Sequence, residues 1–175
     1  DVQALLEDHE GNLWVGTANG LNRMSNGTFI TYGPAEGLGS DVVSAIAPSR
    51  LEKGVVWAGT NDGKVWISRD AGKNWNDLSK NVNMPPWGIV RRIDASHFDP
   101  GTAYMAVDYH LVDNRNPFLF KTTDFGQTWT RIDAGLPKGH PLDYTLSIAE
   151  NPNRRGMIFA GTGHADHDGL SPPLV

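Results

Sequence analysis

The chain has 175 residues, of which 39% are hydrophobic and 20% charged, with a formal net charge of −5 and no cysteine. That composition describes a globular chain and excludes disulfides, thiolate metal sites and cysteine nucleophiles. Mild acidity without a Lys/Arg cluster argues against nucleic acid as a partner, and no apolar run reaches the roughly 18 residues of a membrane span.

The opening "DVQALLEDHEGN" has no basic segment followed by an apolar one, so it is not a signal peptide. It also lacks an initiator Met, and the expectation is an excised piece whose address label lies upstream. The first strands then follow as "VQALLED", "NLWVGTA", "GLNRMS" and "TFITYG". A second set reads "VVSAIAPS", "GVVWAGTN", "KVWISRD" and "NWNDLS". The third reads "VRRIDASHF", "TAYMAVD", "FLFKTTD" and "TWTRID". A fourth begins with "YTLSIAENP" and "GMIFAGTG" and dissolves into "HADHDGLSPPLV". These windows are short and rich in Val, Ile and aromatics, and the 20 Gly and 11 Pro are spread between them, as strands joined by tight turns require.

Gly16, Gly59, Ala106 and Gly161 hold equivalent places, spaced 43, 47 and 55 residues apart. Four-stranded propeller blades repeat at about 40–50 residues. The expected fold is therefore all-β: a β-propeller fragment with three four-stranded antiparallel blades, about 1–38, 39–82 and 83–137, and half a fourth over 138–175. A propeller closes when its last blade docks on its first. The remaining blades of a parent chain, or self-association, are thus expected partners.

Two octapeptides, "SRDAGKNW" and "TTDFGQTW", stand where the third strand hands over to the fourth. Their shared residues are Ser68, Asp70, Gly72 and Trp75 in one, and Thr122, Asp124, Gly126 and Trp129 in the other. The carboxylate can accept N–H groups of its own turn, glycine supplies the positive φ, and the indole fills the space between sheets. Blade one has the shorter "SNGTF" with Phe29. These residues read as fold staples rather than as a carboxylate pair.

The octapeptides resemble Asp boxes, the S/T-x-D-x-G-x-x-W turns of sialidase-like and sortilin-like (BNR) propellers. "LEDHEGNLWVGTANGLNR" resembles the propeller repeat in sensor domains of bacterial two-component regulators. The third blade is similar to bacterial sortilin-like proteins labelled glycosyl hydrolases. The resemblance spans residues 1–163 and implies a propeller, an extracellular or periplasmic address, and either a scaffold or a glycoside hydrolase.

Alternating strand direction puts both octapeptides at one end of the blades and the irregular segments at the other. There the loop 108–117 carries Asp108, His110, Asp113 and Arg115, a set able to bind an anionic or polyhydroxyl ligand. Trp87 and Tyr144 are candidates for a sugar-stacking platform on the same rim. His164, Asp166, His167 and Asp168 match no defined metal spacing, so neither metal nor cofactor is expected. Asp8 and His9 read as turn chemistry, and His97 as the plug of a blade corner.

Glycoside hydrolysis needs two carboxylates. Asp108 and Asp113 are the candidates here, with His110 and Arg115 orienting substrate and a second carboxylate supplied by a missing blade. Arg91 and Arg92, adjacent on one strand, are expected on opposite faces and not in one pocket. No Arg-Ile-Pro signature of sialidases is present. The leading expectation is a non-catalytic or scaffold module that presents a loop-rich face to a carbohydrate or protein ligand, the alternative being a portion of a glycoside hydrolase.

Overall fold

Short alternating segments punctuated by Gly and Asn favour antiparallel hairpins. The computed structural model describes residues 1–39, 42–136, 138, 140 and 144–163, and apart from three short 3₁₀ turns its regular elements are all strands. Blade one is β1 (Val2–Glu7), β2 (Leu13–Thr17), β3 (Gly20–Ser25) and β4 (Thr28–Tyr32). Blade two is β5 (Val43–Pro48), β6 (Val56–Thr60), β7 (Val65–Ser68) and β8 (Asn76–Asp77). Blade three is β9 (Ile89–Ala95), β10 (Ala103–Tyr109), β11 (Asn114–Thr122) and β12 (Thr130–Arg131). Strands β13 (Thr145–Glu150) and β14 (Ile158–Thr162) pair as the inner half of a fourth. First strands adjoin first strands, β1 on β5, β5 on β9 and β9 on β13, so these four line the central axis.

Every inner strand carries one irregularity at the same place. The pairing register skips between Val2 and Ala4, between Val43 and Ala45, and between Thr145 and Ser147. On β9 it skips from Val90 to Arg92. The extra residue (Gln3, Ser44, Arg91 or Leu146) is a β-bulge that resets the two-residue alternation. Val43 and Ile46 therefore both face blade one, while Ala45 and Ala47 face blade three.

The core is a set of slabs between successive blades. Between blades one and two lie Trp14, Leu21, Tyr32, Val43, Ile46 and Trp75. The next slab holds Trp57, Ile67, Leu78, Val90, Ile93 and Met105, with Trp129 against it. The third is smaller, built on Tyr104, Ala106, Leu119 and Ile148. Gly16 and Gly59 mark close approaches of one blade to the next on the second strands. A Cβ on Gly16 would stand 2.7 Å from the Val43 carbonyl oxygen, and one on Gly59 would stand 2.3 Å from Val90 Cγ1.

The two aspartate turns are built alike. The Ser68 hydroxyl accepts the Gly72 N–H at 2.8 Å and donates to Asp70, whose carboxylate accepts the N–H and the amide of Asn74. Thr122 accepts the Gly126 N–H at 3.0 Å and donates to Asp124, which accepts the N–H and hydroxyl of Thr128. Each turn is tied to the first turn of its own blade, by Ala71 N–H to Gly54 O and by Phe125 N–H to Gly101 O, both 2.9 Å. The glycines are needed twice over. Gly72 and Gly126 have φ of 90° and 81°, and a Cβ on them would meet Tyr32 and Leu78 of the preceding blade.

Among the described residues a sheet face lies uncovered at both ends of the stack. On blade one the register aligns Leu13, Met24 and Phe29 in one row beside Leu5 and Val15, and Phe29 is 61% exposed. On the half-blade Leu146 and Phe159 are exposed.

The close approach at Gly59 predicts that Gly59→Ala will lower stability by about 1–3 kcal/mol, the usual cost of overpacking. Gly135→Ala, where an added Cβ meets nothing within 4 Å, is the control. Denaturant melts of the two variants test this; equal midpoints would refute it.

Candidate functional site

At the rim opposite the aspartate turns, the segment expected as a long loop is mostly a hairpin. Strand β10 runs through Tyr109, a 3₁₀ turn covers His110–Val112, and β11 already begins at Asn114, with Tyr109 and Asn114 in register. What reverses the chain is Asp113, at φ 59°. The two carboxylates of this segment consequently have opposite environments. Asp113 stands almost fully in solvent with Arg115 Nε 3.8 Å away.

The Asp108 side chain is 0% exposed. It accepts the Arg91 Nε–H at 2.9 Å and the His110 backbone N–H at 2.9 Å, and His110 Nδ1 lies 2.6 Å from its Oδ2. A carboxylate so held can fix the imidazole's orientation while presenting no oxygen to a ligand. The His110 ring stacks on Tyr144 with centroids 5.2 Å apart. Arg91, Asp108, His110 and Tyr144 are thus brought together as one assembly that joins blade three to the start of the fourth.

Trp87 lies on the crossing between blades two and three. It is 72% exposed and sits at φ 67°, a left-handed backbone that bulky residues rarely adopt. Beside it is a hollow of about 320 Å³ lined by Asp62, Lys64, Ser79, Met84, Pro85 and Trp87. The crossing is anchored from below: the Tyr109 hydroxyl donates to Pro85 O at 2.6 Å, and burial pushes that phenol up to about 12.

Arg91 and Arg92 do not follow simple alternation. Because β9 bulges at Arg91, both guanidinium-bearing residues border one open hollow of about 610 Å³, with Leu146, Ser147 and Phe159 on its other side. This corrects the expectation of opposite faces, which assumed an unbroken pleat.

The inner-strand ends at the aspartate-turn side hold a buried charge network that sequence reading missed. Glu150 accepts from the Ser96 hydroxyl at 2.6 Å, the His97 N–H at 2.9 Å, the Tyr104 hydroxyl at 2.9 Å and the Gly156 N–H at 3.1 Å. Asp94 accepts Arg50 Nη2 at 3.0 Å and the Glu150 N–H at 2.8 Å, and Arg50 also donates to the Ala95 carbonyl. Burial works against the Glu150 charge, yet these donors outweigh it and hold the carboxyl below its ordinary range. Tyr104 is pushed well above the usual phenol range by burial and by the neighbouring Glu150 carboxylate. The signal available was a carboxylate at the end of each apolar strand, in "VRRIDASHF" and "YTLSIAENP".

Next to this network an opening of about 350 Å³ is lined by Glu7, Asp8, His9, Arg50, Arg92 and Asp94. Asp8 itself is engaged in its turn. Burial opposes its charge, and hydrogen bonds from Trp14 Nε1, from the Asn12 amide and from the N–H groups of Asn12 and Glu10 prevail and lower its pKa. Asp70 is likewise lowered, chiefly by the Asn74 amide. At Asp124 the Thr128 hydroxyl and the turn's N–H groups outweigh burial to the same effect. Among the described residues no group of three or more His, Cys, Asp or Glu is placed to hold a metal ion. His164, Asp166, His167 and Asp168 lie outside the described residues. No helix among the described residues is long and apolar enough to cross a membrane.

These features define a segment of a β-propeller with two furnished ends. Comparisons with known proteins agree on that class. Residues 1–19 match the family model described as "Two component regulator propeller". A xyloglucanase from Paenibacillus sp. is 25% identical over 138 residues, which is 73% of this chain and 13% of that protein. Among solved structures, an ancestral GH74 enzyme superposes with a TM-score of 0.67 at 19% identity, over 92% of this chain and 22% of its own. YCF48 from Cyanidioschyzon merolae gives 0.64 at 14% identity, over 93% and 49%, and a YCF48 structure with a bound D1 peptide gives 0.55 at 16%, over 74% and 38%. The chain therefore spans about an eighth of the curated relative and under half of these structures.

The lowered Glu150 carboxyl carries a sign for pH. Its contribution to stability is present above the unfolded-state value, near 4.5, and is lost as pH falls through the lower folded value. Melts of the wild type should lose stability as pH falls below about 5, and Glu150→Gln should be less stable at neutral pH and flatter across that window. An unchanged acid slope in the variant would contradict this.

Proposed function

We propose that the chain is part of a β-propeller module that binds carbohydrate at the rim carrying Trp87 and the His110–Tyr144 stack. The observation that carries this reading is Trp87, an indole held out to solvent in an unfavourable backbone conformation above a hollow edged by Asp62, Lys64 and Ser79. Strained, displayed residues concentrate at functional sites, and an aromatic face bordered by hydrogen-bonding groups suits a pyranose ring. Similarity to a xyloglucanase makes xyloglucan the first ligand to try. The module is proposed to belong to a longer extracellular or periplasmic protein, with the aspartate turns as Asp boxes of a sortilin-like (BNR) propeller and its blades divided at about residues 38, 82 and 137. A protein ligand is the second member of the same reading, supported by the peptide-bound YCF48 neighbour.

The second reading, a wall of a glycoside hydrolase cleft, is favoured by the likeness to the xyloglucanase and by the exposed Asp113 with Arg115 beside it. In that case Asp113 faces substrate, while Asp108 positions His110. A carboxylate from another blade completes the pair that either standard mechanism requires.

Titration calorimetry with xyloglucan oligosaccharides tests the platform. Trp87→Ala should weaken binding about tenfold, the scale of one lost aromatic contact, and Asp113→Asn should leave affinity within a factor of about two. Equal affinity in Trp87→Ala and wild type would remove Trp87 from the site. Turnover of the same oligosaccharides by the whole parent protein, lost in Asp113→Asn, would instead favour the hydrolase.

A further inference from the structure

The sequence contains the dipeptide Asn-Gly twice, at Asn19–Gly20 and at Asn26–Gly27, and the fold gives the two copies opposite settings. Both stand in hairpin turns of blade one. Between β2 and β3 the loop residues are Ala18 and Asn19, so Gly20 is already the first residue of β3 and pairs with Thr17. Its N–H belongs to the ladder, as at the closing pair of any two-residue hairpin. Gly20 is also buried, and a Cβ on it would stand 2.5 Å from the Tyr32 carbonyl oxygen.

Between β3 and β4 the frame moves by one residue. Ser25 pairs with Thr28, and Asn26 and Gly27 are themselves the loop, with φ of 49° and 77°. Two positive φ values in a two-residue hairpin make the type I′ turn that Asn-Gly favours. Both residues are exposed, a Cβ on Gly27 would meet nothing within 4 Å, and the Gly27 N–H makes no backbone hydrogen bond. Among the described residues no hydrogen bond holds the Asn26 amide.

We propose that Asn26 is a site of spontaneous covalent modification, deamidating through its bond to Gly27 while Asn19 is spared. The Gly27 backbone nitrogen gives up its proton and attacks Asn26 Cγ. The bond from Cγ to the side-chain nitrogen breaks, and that nitrogen leaves with the proton as ammonia. The five-membered succinimide so formed takes up one water. Opening at Cγ leaves aspartate; opening at the residue's backbone carbonyl leaves isoaspartate, with the main chain now running through the side chain. Glycine permits the attack because no Cβ shields its nitrogen. At Gly20 the same attack requires the closing pair of the hairpin to be broken first. The proposal is independent of the carbohydrate reading.

The two products differ in what they do to blade one. Aspartate adds a negative charge and keeps the turn, since Asp-Gly is also a type I′ pair. Isoaspartate lengthens a two-residue loop by one backbone methylene, which the Ser25–Thr28 closure has no slack to absorb. Strand β4 is weakly held next to that turn, because Thr28, Phe29, Ile30 and Thr31 are all exposed. At its far end Tyr32 is buried, with its ring 6.0 Å from that of Trp14 and 6.1 Å from that of Trp75. Isoaspartate therefore loosens the strand from Thr28 to Ile30 and stops at Tyr32.

The test holds the whole folded chain at mildly alkaline pH, which favours the attacking amide anion, and follows both sites over days by peptide mass spectrometry. Asn26 should convert about tenfold faster than Asn19, the rate factor of one retained ladder hydrogen bond. In urea, where neither turn persists, the two should convert at similar rates. Labelled methyl transfer by an isoaspartate-specific methyltransferase should mark the peptide that holds residue 26. Hydrogen exchange of the aged chain should quicken from Thr28 to Ile30 and stay unchanged at Tyr32, whereas fresh Asn26→Asp should exchange like the wild type. Folded-state conversion that is equal at the two sites, absent from both, or faster at Asn19 would overturn the assignment. An isoaspartate-bearing chain with unchanged exchange along β4 would overturn the loosening.

Discussion

Everything in this chain depends on how closely one twisted sheet can lie on the next. The limiting contacts are at Gly16 and Gly59, where the backbone of one blade meets Val43 or Val90 of its successor with no room for a methyl group. Around that contact the large side chains are graded outward. Small residues stand near the axis, and indoles and phenols fill the widening wedge at the rim. The aspartate turns serve the same geometry, since their glycines let the chain reverse against the preceding blade and their tryptophans occupy the widest part of the gap.

The half-blade is attached differently from the others. Its slab is small, built on Ile148 and Ile158 against Tyr104 and Leu119, and polar bonding carries more of the attachment. Glu150 gathers two hydroxyls and the N–H groups of His97 and Gly156, and Asp94 bridges Arg50 of blade two to the Glu150 backbone. Buried anions of this kind are tolerable only while every donor is in place. Removing one donor strands a carboxylate in an apolar setting, so the inner ends of blades two, three and four are coupled through a charge as well as through packing.

The all-β propeller architecture was legible in the sequence because its determinants are local. Strand alternation, Gly and Asn turns, and the S/T-x-D-x-G-x-x-W spacing each act within about ten residues. What escaped depends on contacts between distant residues. Ser96 and Glu150 meet across 54 positions, and nothing near either one announces the other. The pairing of Asp108 with Arg91 was hidden by a bulge, which breaks the alternation that sequence reasoning relies on. The segment 108–117 looked like a loop for a related reason: its polar residues are those of an extended hairpin whose apolar partner positions, Val107 and Phe118, lie outside it.

The bulges on the four inner strands also bear on how such a repeat can diverge. A residue gained or lost there would exchange the two faces of the strand and turn Ile46 or Ile93 away from its slab. A residue gained in an outer turn shifts nothing beyond that turn. Length variation among the repeats, which are 43, 47 and 55 residues apart at equivalent positions, is therefore free to accumulate in the connections. New loops can be grafted at the rim while the axis keeps a fixed count. Drift in length is in effect steered toward the connections at the ends of the blades, and the inner strands act as the ruler against which each blade is copied.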